Sequence, residues 1–306
     1  MRIVFFGTGE FSTTILKGLI NNGNNIVAVV SQPDKINGRN GKITFSSIKV
    51  FCLSNNIPIY QFEKLNKEGE QPLKALNADM FVTASYGQII GEHILNIPRL
   101  GTFNVHASLL PKYRGSAPIQ WAIINGEKST GVTIMRTEAG IDTGEMYIQK
   151  EIPIEESDTS SSVFNKLAIL GVECITEFIN NFKQYEHSGI KQNEAEATYF
   201  PMIAKQDYLL NFNSSTTNIV NKVRALENCF FVYSGARYKV LEVAKSNLSG
   251  GAGELLACNA KQGLIVGSAD GSVEIVTIQP EGKQKMPAKA YMNSNKFKLG
   301  DVIENS

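Results

Sequence analysis

The sequence predicts an α/β protein, with a mostly parallel sheet covered by helices on both faces and a smaller C-terminal β-barrel domain after it. Apolar, strand-like runs alternate with helical segments through the first 180 or so residues. These runs are apolar along their whole length, which indicates strands buried on both faces of a parallel sheet. From about residue 206, short strands separated by glycine turns replace this alternation, as in a small barrel.

The elements of the first domain follow from hydrophobic periodicity. A strand at 2–7 ends in glycine, and the apolar residues Phe11, Ile15 and Leu19 recur after it at helical spacing. Further strands are predicted at 25–34, 57–62, 79–87, 101–108, 130–136 and 145–152, and helices at 46–54, 70–77, 91–95, 117–124 and 163–182. Together these elements form one parallel-type sheet with its covering helices.

The second domain begins with a helix at 215–226. Its short strands are predicted at 230–235, 236–244, 253–259, 263–268 and 272–280. Polar, charged and turn residues at 183–204 are typical of a linker. We therefore predict a first domain at 1–185, a linker at 186–205 and a C-terminal domain at 206–306.

Composition excludes several classes of protein. Hydrophobic residues make up 42% and charged residues 19% of the 306 residues, which is ordinary for a folded two-domain protein. No apolar run approaches the roughly 18 residues that span a bilayer, and the start carries no signal peptide pattern. The four cysteines are far apart, which predicts no metal site and a reducing, cytoplasmic location.

The charge distribution is compatible with a nucleic-acid partner without requiring one. The net charge is only +1, but residues from 205 onward carry 12 basic against 9 acidic side chains. A weakly basic second domain fits an RNA ligand, and ordinary solvated surface lysines explain the same charge equally well.

The glycine turn after the first strand superficially resembles a dinucleotide-binding fingerprint. In GTGEFS at 7–12 the third glycine is replaced by Ser12, and no acidic residue ends the second strand. The turn is therefore interpreted as a tight connection that lets a helix pack on the sheet. A nicotinamide cofactor is not expected.

The chemically informative residues lie between 104 and 144. Asn104 and His106 are two apart on a predicted strand, so their side chains point to the same face. Asp142 is the central carboxylate of a loop with glycines on both sides, which can approach a ligand closely. A single histidine on a strand is more often structural, but here an asparagine precedes it on the same face and a loop rich in proline and glycine follows it.

These residues resemble the signature of the folate-dependent formyltransferases. The resemblance rests on Asn104, His106, SLLP at 108–111, RGSAPIQWA at 114–122 and GIDTG at 140–144. It extends to the GTGEF start, to YGQII at 86–90 and to QPEGKQKMPAKAYMNS at 279–294. The resemblance implies a Rossmann-like first domain that holds 10-formyltetrahydrofolate and an OB-fold-like second domain that helps to hold tRNA.

The resemblance also implies roles for the three central residues. Asn104 would donate a hydrogen bond to the oxyanion that forms on the formyl group. His106 would remove the proton of the attacking amine or stabilise the same oxygen. Asp142 would orient that imidazole and stabilise its charged form. The implied acceptor is the α-amine of methionine on initiator tRNA. No metal, no membrane and no obligate protein partner are expected.

Further binding residues follow from the matching motif positions. The expected folate-binding residues are Tyr86, Gly87, Gln88, Ser108, Leu109, Leu110, Pro111, Gly140, Ile141 and Thr143. The expected tRNA-binding residues are Arg39 and Lys42, at 35–42 in a loop after the second strand, and Lys205 in the linker.

The resemblance weakens at two positions outside the catalytic domain. The family usually has an Asn-Pro-x-Pro-Gly-Ala element after an Arg-Ala pair, whereas Arg224 and Ala225 are followed here by LENCFFVYSG. Met202 stands where the family often has a lysine. Two alternatives stay open: an N-formyltransferase acting on a nucleotide-linked amino sugar, and a catalytically idle binding protein, which would be expected to lack Asn104, His106 or Asp142.

Overall fold

The computed structural model describes residues 1–37 and 42–303, and the chain divides into two compact units. The first unit comprises 1–118, 129–153 and 164–200, and the second comprises 119–128, 154–163 and 201–306. Segments 119–128 and 154–163, which the sequence predicts inside the first domain, thus group with the C-terminal part of the chain. No described helix combines the length and apolar character needed to cross a bilayer.

The first 200 residues contain short strands alternating with helices. The strands are β1 Arg2–Gly7, β2 Asn25–Ser31, β3 Lys35–Asn37, β4 Lys42–Thr44, β5 Ile59–Gln61, β6 Met80–Ala84, β7 Thr102–His106, β8 Arg114–Gly115, β9 Ser129–Arg136, β10 Met146–Pro153 and β11 Tyr199–Phe200. The helices are α1 Glu10–Asn21, α2 Ser47–Ser54, α3 Leu65–Glu68, α4 Glu70–Ala75, α5 Glu92–Leu95, α6 Pro118–Ile124, α7 Ser160–Asn180 and α8 Phe182–Tyr185.

Seven of these strands form the central sheet, in the order β10-β9-β7-β6-β1-β2-β5. The strands β5, β2, β1, β6 and β7 are parallel, whereas β9 is antiparallel to both of its neighbours. This confirms the predicted mostly parallel, Rossmann-like sheet. The chain passes from β1 to β2 on one side and later returns to β6 on the other, so a crevice is expected between the ends of β1 and β6.

Apolar side chains hold helices against this sheet. All five residues of β6 are buried, as continuous apolar strands of parallel sheets usually are. Phe103 of β7 packs on Phe178 of α7, with ring centroids 4.7 Å apart. At Gly18 of α1 an added Cβ would lie 2.3 Å from Val172 Cγ1, so glycine allows α1 to approach α7.

The second unit is built on an antiparallel sheet. Its elements are α9 Thr216–Leu226, β12 Cys229–Tyr233, β13 Ala236–Ser246, β14 Leu255–Asn259, β15 Gly263–Gly267, β16 Ser272–Pro280, β17 Met286–Pro287 and α10 Ala288–Tyr291. The strand order is β12-β13-β16-β15-β14, and β17 pairs with β16. The five main strands agree with the five predicted from the sequence, which confirms a smaller β domain after the α/β domain.

Candidate active site

Asn104 and His106 lie at the carboxyl end of β7, in the first unit. In the register of the sheet Asn104 is opposite Thr83 of β6, and His106 is opposite Thr133 of β9. Because strand side chains alternate, both residues face the same side of the sheet. His106 is 6% exposed and Asn104 is half-buried. The structure thus brings together the amide and the imidazole that the sequence predicts to be neighbours.

The amide of Asn104 is held in one orientation by Thr83. The Thr83 hydroxyl donates a hydrogen bond of 3.0 Å to Asn104 Oδ1. This bond occupies the oxygen end of the amide, so Nδ2 is the end that can donate to another group. No sequence pattern marks Thr83, which lies in a buried, largely apolar strand.

The hydrogen-bond partners of His106 define which ring nitrogen is available for proton transfer. His106 Nε2 lies 3.0 Å from the carbonyl oxygen of Tyr113. A carbonyl oxygen only accepts hydrogen bonds, so Nε2 must carry a hydrogen. His106 Nδ1 lies 3.7 Å from Asp142 Oδ2. A proton taken up at Nδ1 would therefore create a cation facing a carboxylate.

The loop that carries Asp142 returns along the sheet to reach His106. Arg136, the last residue of β9, is opposite Phe103, so the chain leaves β9 beside the amino-terminal part of β7. Asp142 has the left-handed φ of +53°. Its Oδ2 accepts a hydrogen bond of 2.8 Å from the Gly115 N–H, which fixes the carboxylate beside the imidazole.

Gly115 is required at this contact. It has φ +110°, and an added Cβ would lie 2.2 Å from the Phe200 carbonyl oxygen. Gly115 belongs to β8, which pairs in parallel with β11. The segment 190–200, all of it predicted as linker, thus contributes a strand beside the site.

Arg114, the neighbour of Gly115, is completely buried among residues of the same segment. Its guanidinium pairs with Glu194 at 2.7 Å and donates to Gln192 Oε1 at 2.8 Å and to the Tyr199 hydroxyl. Hydrogen bonding to Glu194 raises the pKa of Arg114 above its usual value, although burial opposes that shift. The guanidinium is therefore a charged anchor beneath the loop of Asp142.

The expected folate-binding segment 86–88 lies at the crevice between β1 and β6. Thr8 Oγ1 and Gln32 Nε2 both donate to the Tyr86 carbonyl oxygen, at 2.9 and 3.1 Å. The Tyr86 ring is buried edge-on to Phe6, and burial raises the pKa of Tyr86 to about 12. Gln88 donates to the Phe62 carbonyl oxygen. At this segment it is the backbone, rather than the Tyr86 ring, that can meet a ligand.

The second expected folate-binding segment, 108–111, is fixed to β9. Thr133 Oγ1 donates to the Ser108 carbonyl oxygen at 2.7 Å and accepts from the Leu110 N–H at 3.2 Å. In the loop of Asp142, Ile141 is 61% exposed, which is unusual for an isoleucine. The segment 108–111 lies near His106 because Thr133, to which it is bonded, is opposite His106. The loop 140–143 lies near His106 through Asp142.

Of the three expected tRNA-binding side chains, the described residues include that of Lys205 alone. Arg39 lies outside the described residues. Lys42 begins β4, but its side chain also lies outside the description. Lys205 is exposed at the start of a short 3-10 helix, Lys205–Tyr208, in the second unit.

The sequence matches a known family of enzymes over most of its length. Residues 1–179 match the family described as formyl transferase, and residues 202–296 match the formyl transferase C-terminal domain. The chain belongs to the formyl transferase family. This confirms the resemblance inferred from the motif residues.

Within this family the chain is similar over its full length to methionyl-tRNA formyltransferases. The enzyme of Caldanaerobacter subterraneus is 40% identical, and 99% of this chain and 100% of the relative are covered. The enzyme of Dictyoglomus turgidum is 42% identical, and 100% of both chains is covered.

Solved structures share the fold. HypX from Aquifex aeolicus, solved with tetrahydrofolic acid, has a TM-score of 0.67 at 18% identity, covering 99% of this chain and 49% of HypX. The sugar 3N-formyl transferase WlaRD has a TM-score of 0.64 at 22% identity, covering 93% and 99% of the two chains. At these identities the likeness supports the fold alone.

Proposed function

We propose that this chain transfers the formyl group of 10-formyltetrahydrofolate to the α-amino group of methionine on initiator methionyl-tRNA. The observation that carries the proposal is the fixed group of Asn104, His106 and Asp142. Full-length similarity to methionyl-tRNA formyltransferases supports the choice of acceptor.

The geometry supports a direct transfer. The amine nitrogen attacks the formyl carbon, a carbon–nitrogen bond to the acceptor forms, and the bond from the formyl carbon to folate N10 breaks. Asn104 Nδ2, turned outward by Thr83, donates to the oxygen that gains negative charge. His106 Nδ1 takes the proton that the amine loses, and Asp142 stabilises the resulting imidazolium. N10 regains a proton as it leaves.

The residues around this group fit a folate. The backbone at 86–88 offers polar groups at the crevice where ligands of such sheets bind. The exposed Ile141 offers apolar surface for a flat ring. The loops 108–111 and 140–143 are both held by hydrogen bonds, so the pocket is expected to be largely pre-formed. In this proposal Gly87 and Gln88 contribute backbone contacts, as do Ser108, Leu109, Leu110, Pro111, Gly140 and Thr143.

The acceptor tRNA is assigned to the loop 35–42 and to Lys205. Arg39 and Lys42 would contact phosphates of the acceptor end. The positive balance of residues from 205 onward, 12 basic against 9 acidic, suits such a ligand. We propose a cytoplasmic location, with which a role in translation initiation is compatible.

A formylation assay with two acceptors tests the proposal. The purified chain and 10-formyltetrahydrofolate are incubated with initiator methionyl-tRNA, and in parallel with a nucleotide-linked amino sugar. We expect formyl-methionine on the tRNA and no formylated sugar. The reverse result would assign the chain to the sugar enzymes.

Asn104→Ala supplies the test of mechanism. Removing one donor to a developing oxyanion is expected to lower kcat by about 10²- to 10³-fold. Folate affinity, measured by fluorescence titration, should stay close to that of the wild-type chain because the effect is on the transition state. A variant with wild-type turnover would show that Asn104 has no part in the reaction.

A further inference from the structure

The side chain of Gln192 joins two parts of the site that are far apart in sequence. Its amide nitrogen donates to the carbonyl oxygens of Asp142 and Gly144, each at 2.8 Å. Its amide oxygen accepts two bonds from Arg114, at 3.0 Å from Nε and 2.8 Å from Nη2. Gln192 is buried, with 9% of its surface exposed. Every polar group of this side chain is thus used between Arg114 and the loop of Asp142.

Arg114 determines which way the Gln192 amide points. A guanidinium only donates hydrogen bonds, so the oxygen of Gln192 must face it and the nitrogen must face the loop. Arg114 is itself held by Glu194 at 2.7 Å and is fully buried. If the Gln192 amide were flipped, its hydrogen bonds to Arg114 and to the loop would be lost, so only one orientation is possible.

The loop that carries Asp142 needs outside hydrogen bonds to hold it in one conformation. Gly140 and Gly144 flank it, and glycine gives a chain many accessible conformations. Asp142 adopts the left-handed φ of +53°, which few non-glycine residues take. Gln192 binds the backbone at Asp142 and at Gly144, on both sides of Thr143, and so selects one loop conformation. The Gly115 N–H then fixes the carboxylate of Asp142.

We infer that Gln192 is a positioning residue for formyl transfer, because it holds the Asp142 carboxylate opposite His106 Nδ1. Gln192 acts through Asp142 and does not itself face the reacting atoms. The inference rests on the proposed function, since it assumes that Asp142 stabilises the imidazolium of His106. It assigns a role in the reaction to a segment that the sequence predicts as linker.

Gln192→Glu isolates the two donated hydrogen bonds. Glutamate has the same shape and keeps an oxygen for Arg114, whose charge compensates the new carboxylate. It loses both N–H donors and places an oxygen against two carbonyl oxygens. We expect kcat to fall by about 10- to 100-fold, as misplaced catalytic groups do, with KM for tRNA and for folate nearly unchanged.

The matched control is Asn24→Asp, which also converts an amide into a carboxylate of the same shape. Asn24 Nδ2 donates to the Leu19 carbonyl oxygen at 3.0 Å, in the same unit, before the start of β2. This variant should retain wild-type kcat. A rise in folate KM with unchanged kcat for Gln192→Glu would overturn the inference, because it would mean that Gln192 only shapes the binding pocket.

A double-mutant cycle separates this inference from the proposed function. In the background of Asp142→Asn, Gln192→Glu should reduce kcat by less than it does alone, because both act on the same carboxylate. Equal reductions in the two backgrounds would overturn the positioning role. Full activity of Asp142→Asn would refute the role of Asp142 and the inference with it. If Gln192→Glu fails to fold, Gln192→Met, which also lacks the donors, takes its place in the same cycle.

Discussion

At the scale of single residues, the candidate site depends on how each polar side chain is oriented, and in particular on which end of an amide is free to contact a substrate. The sequence predicts Asn104 and His106 on one face, because alternation along a strand depends only on neighbouring positions. It does not predict the orientation of the Asn104 amide, which depends on Thr83, 21 residues away. Likewise, Gln192 lies 50 residues from Asp142. Pairings over such distances leave no pattern in a single sequence.

Thr83→Val tests the orientation of the Asn104 amide. Valine has nearly the shape of threonine but cannot donate to Asn104 Oδ1, so Nδ2 is no longer held outward. A neutral hydrogen bond contributes about 0.5–1.5 kcal/mol, so kcat should fall by up to about tenfold. Single-turnover kinetics with saturating folate and tRNA would measure this. Thr130→Val, a buried threonine at the start of β9, is the control and should leave kcat unchanged.

At the scale of elements, the sequence predicts the long periodic segments, but it does not predict the two-residue strands. The predicted helix at 215–226 is α9 Thr216–Leu226, and the predicted strand at 272–280 is β16 Ser272–Pro280. The two-residue strands β8 and β11 are too short to show any periodicity. Because β8 pairs with β11, part of the predicted linker lies beside the candidate active site.

After Ala225 the sequence differs from the usual family element, and one residue of this differing stretch, Glu227, has a structural role at the end of α9. Glu227, which follows this helix with φ +56°, accepts hydrogen bonds from the Ser161 N–H at 2.8 Å and from the Ser160 hydroxyl at 2.9 Å. These serines are in the first turn of α7, where N–H groups lack partners within the helix. A carboxylate there stabilises the helix.

Glu227→Gln should therefore lower stability in a pH-dependent way. Burial raises the pKa of Glu227, but hydrogen bonds from Ser161 and Ser160 outweigh burial and leave the pKa below 4.5. With a lowered pKa in the folded chain, the stabilisation is complete above 4.5 and is lost as pH falls through the folded value. At pH 7 the variant should lose about 1 kcal/mol of unfolding free energy.

Thermal unfolding of both chains at pH 7 and below pH 4.5 measures this effect. The difference between them should shrink at the lower pH, where the wild-type carboxylate begins to bind a proton. Glu281→Gln, at an exposed glutamate of the second unit, is the control and should have no such dependence. A difference that stays constant with pH would mean that the charge of Glu227 does not stabilise α7.

At the scale of the whole molecule, the sequence predicts two domains, but it does not predict that the chain passes between the two units five times. The change near residue 206, from alternating strands and helices to short strands, marks only the last part of the second unit. Segments 119–128 and 154–163 belong to that unit, yet their apolar residues have the same character as those of the first. Local hydrophobicity reports that a residue is buried, and not which core buries it.

A fragment that ends at residue 205 should therefore be less stable than the full chain. Ile123 and Val163 are fully buried members of the second unit, and the cut removes most of that unit. A fragment of residues 1–205 would expose these side chains to water and lose the free energy of burying them, about 1.5–3 kcal/mol each. We expect it to unfold at a lower temperature than the full chain and to bind a hydrophobic dye.

A full chain with a protease site inserted after residue 205 distinguishes loss of packing from loss of continuity. Once cleaved, with both pieces still present, it keeps the partners of Ile123 and Val163 and should unfold close to the temperature of the uncut chain. Calorimetry of the fragment, the cleaved chain and the intact chain makes the comparison. The fragment alone could instead unfold cooperatively at the temperature of the intact chain. Residues 119–128 and 154–163 would then fold without residues 206–306, and their assignment to the second unit would contribute nothing to stability.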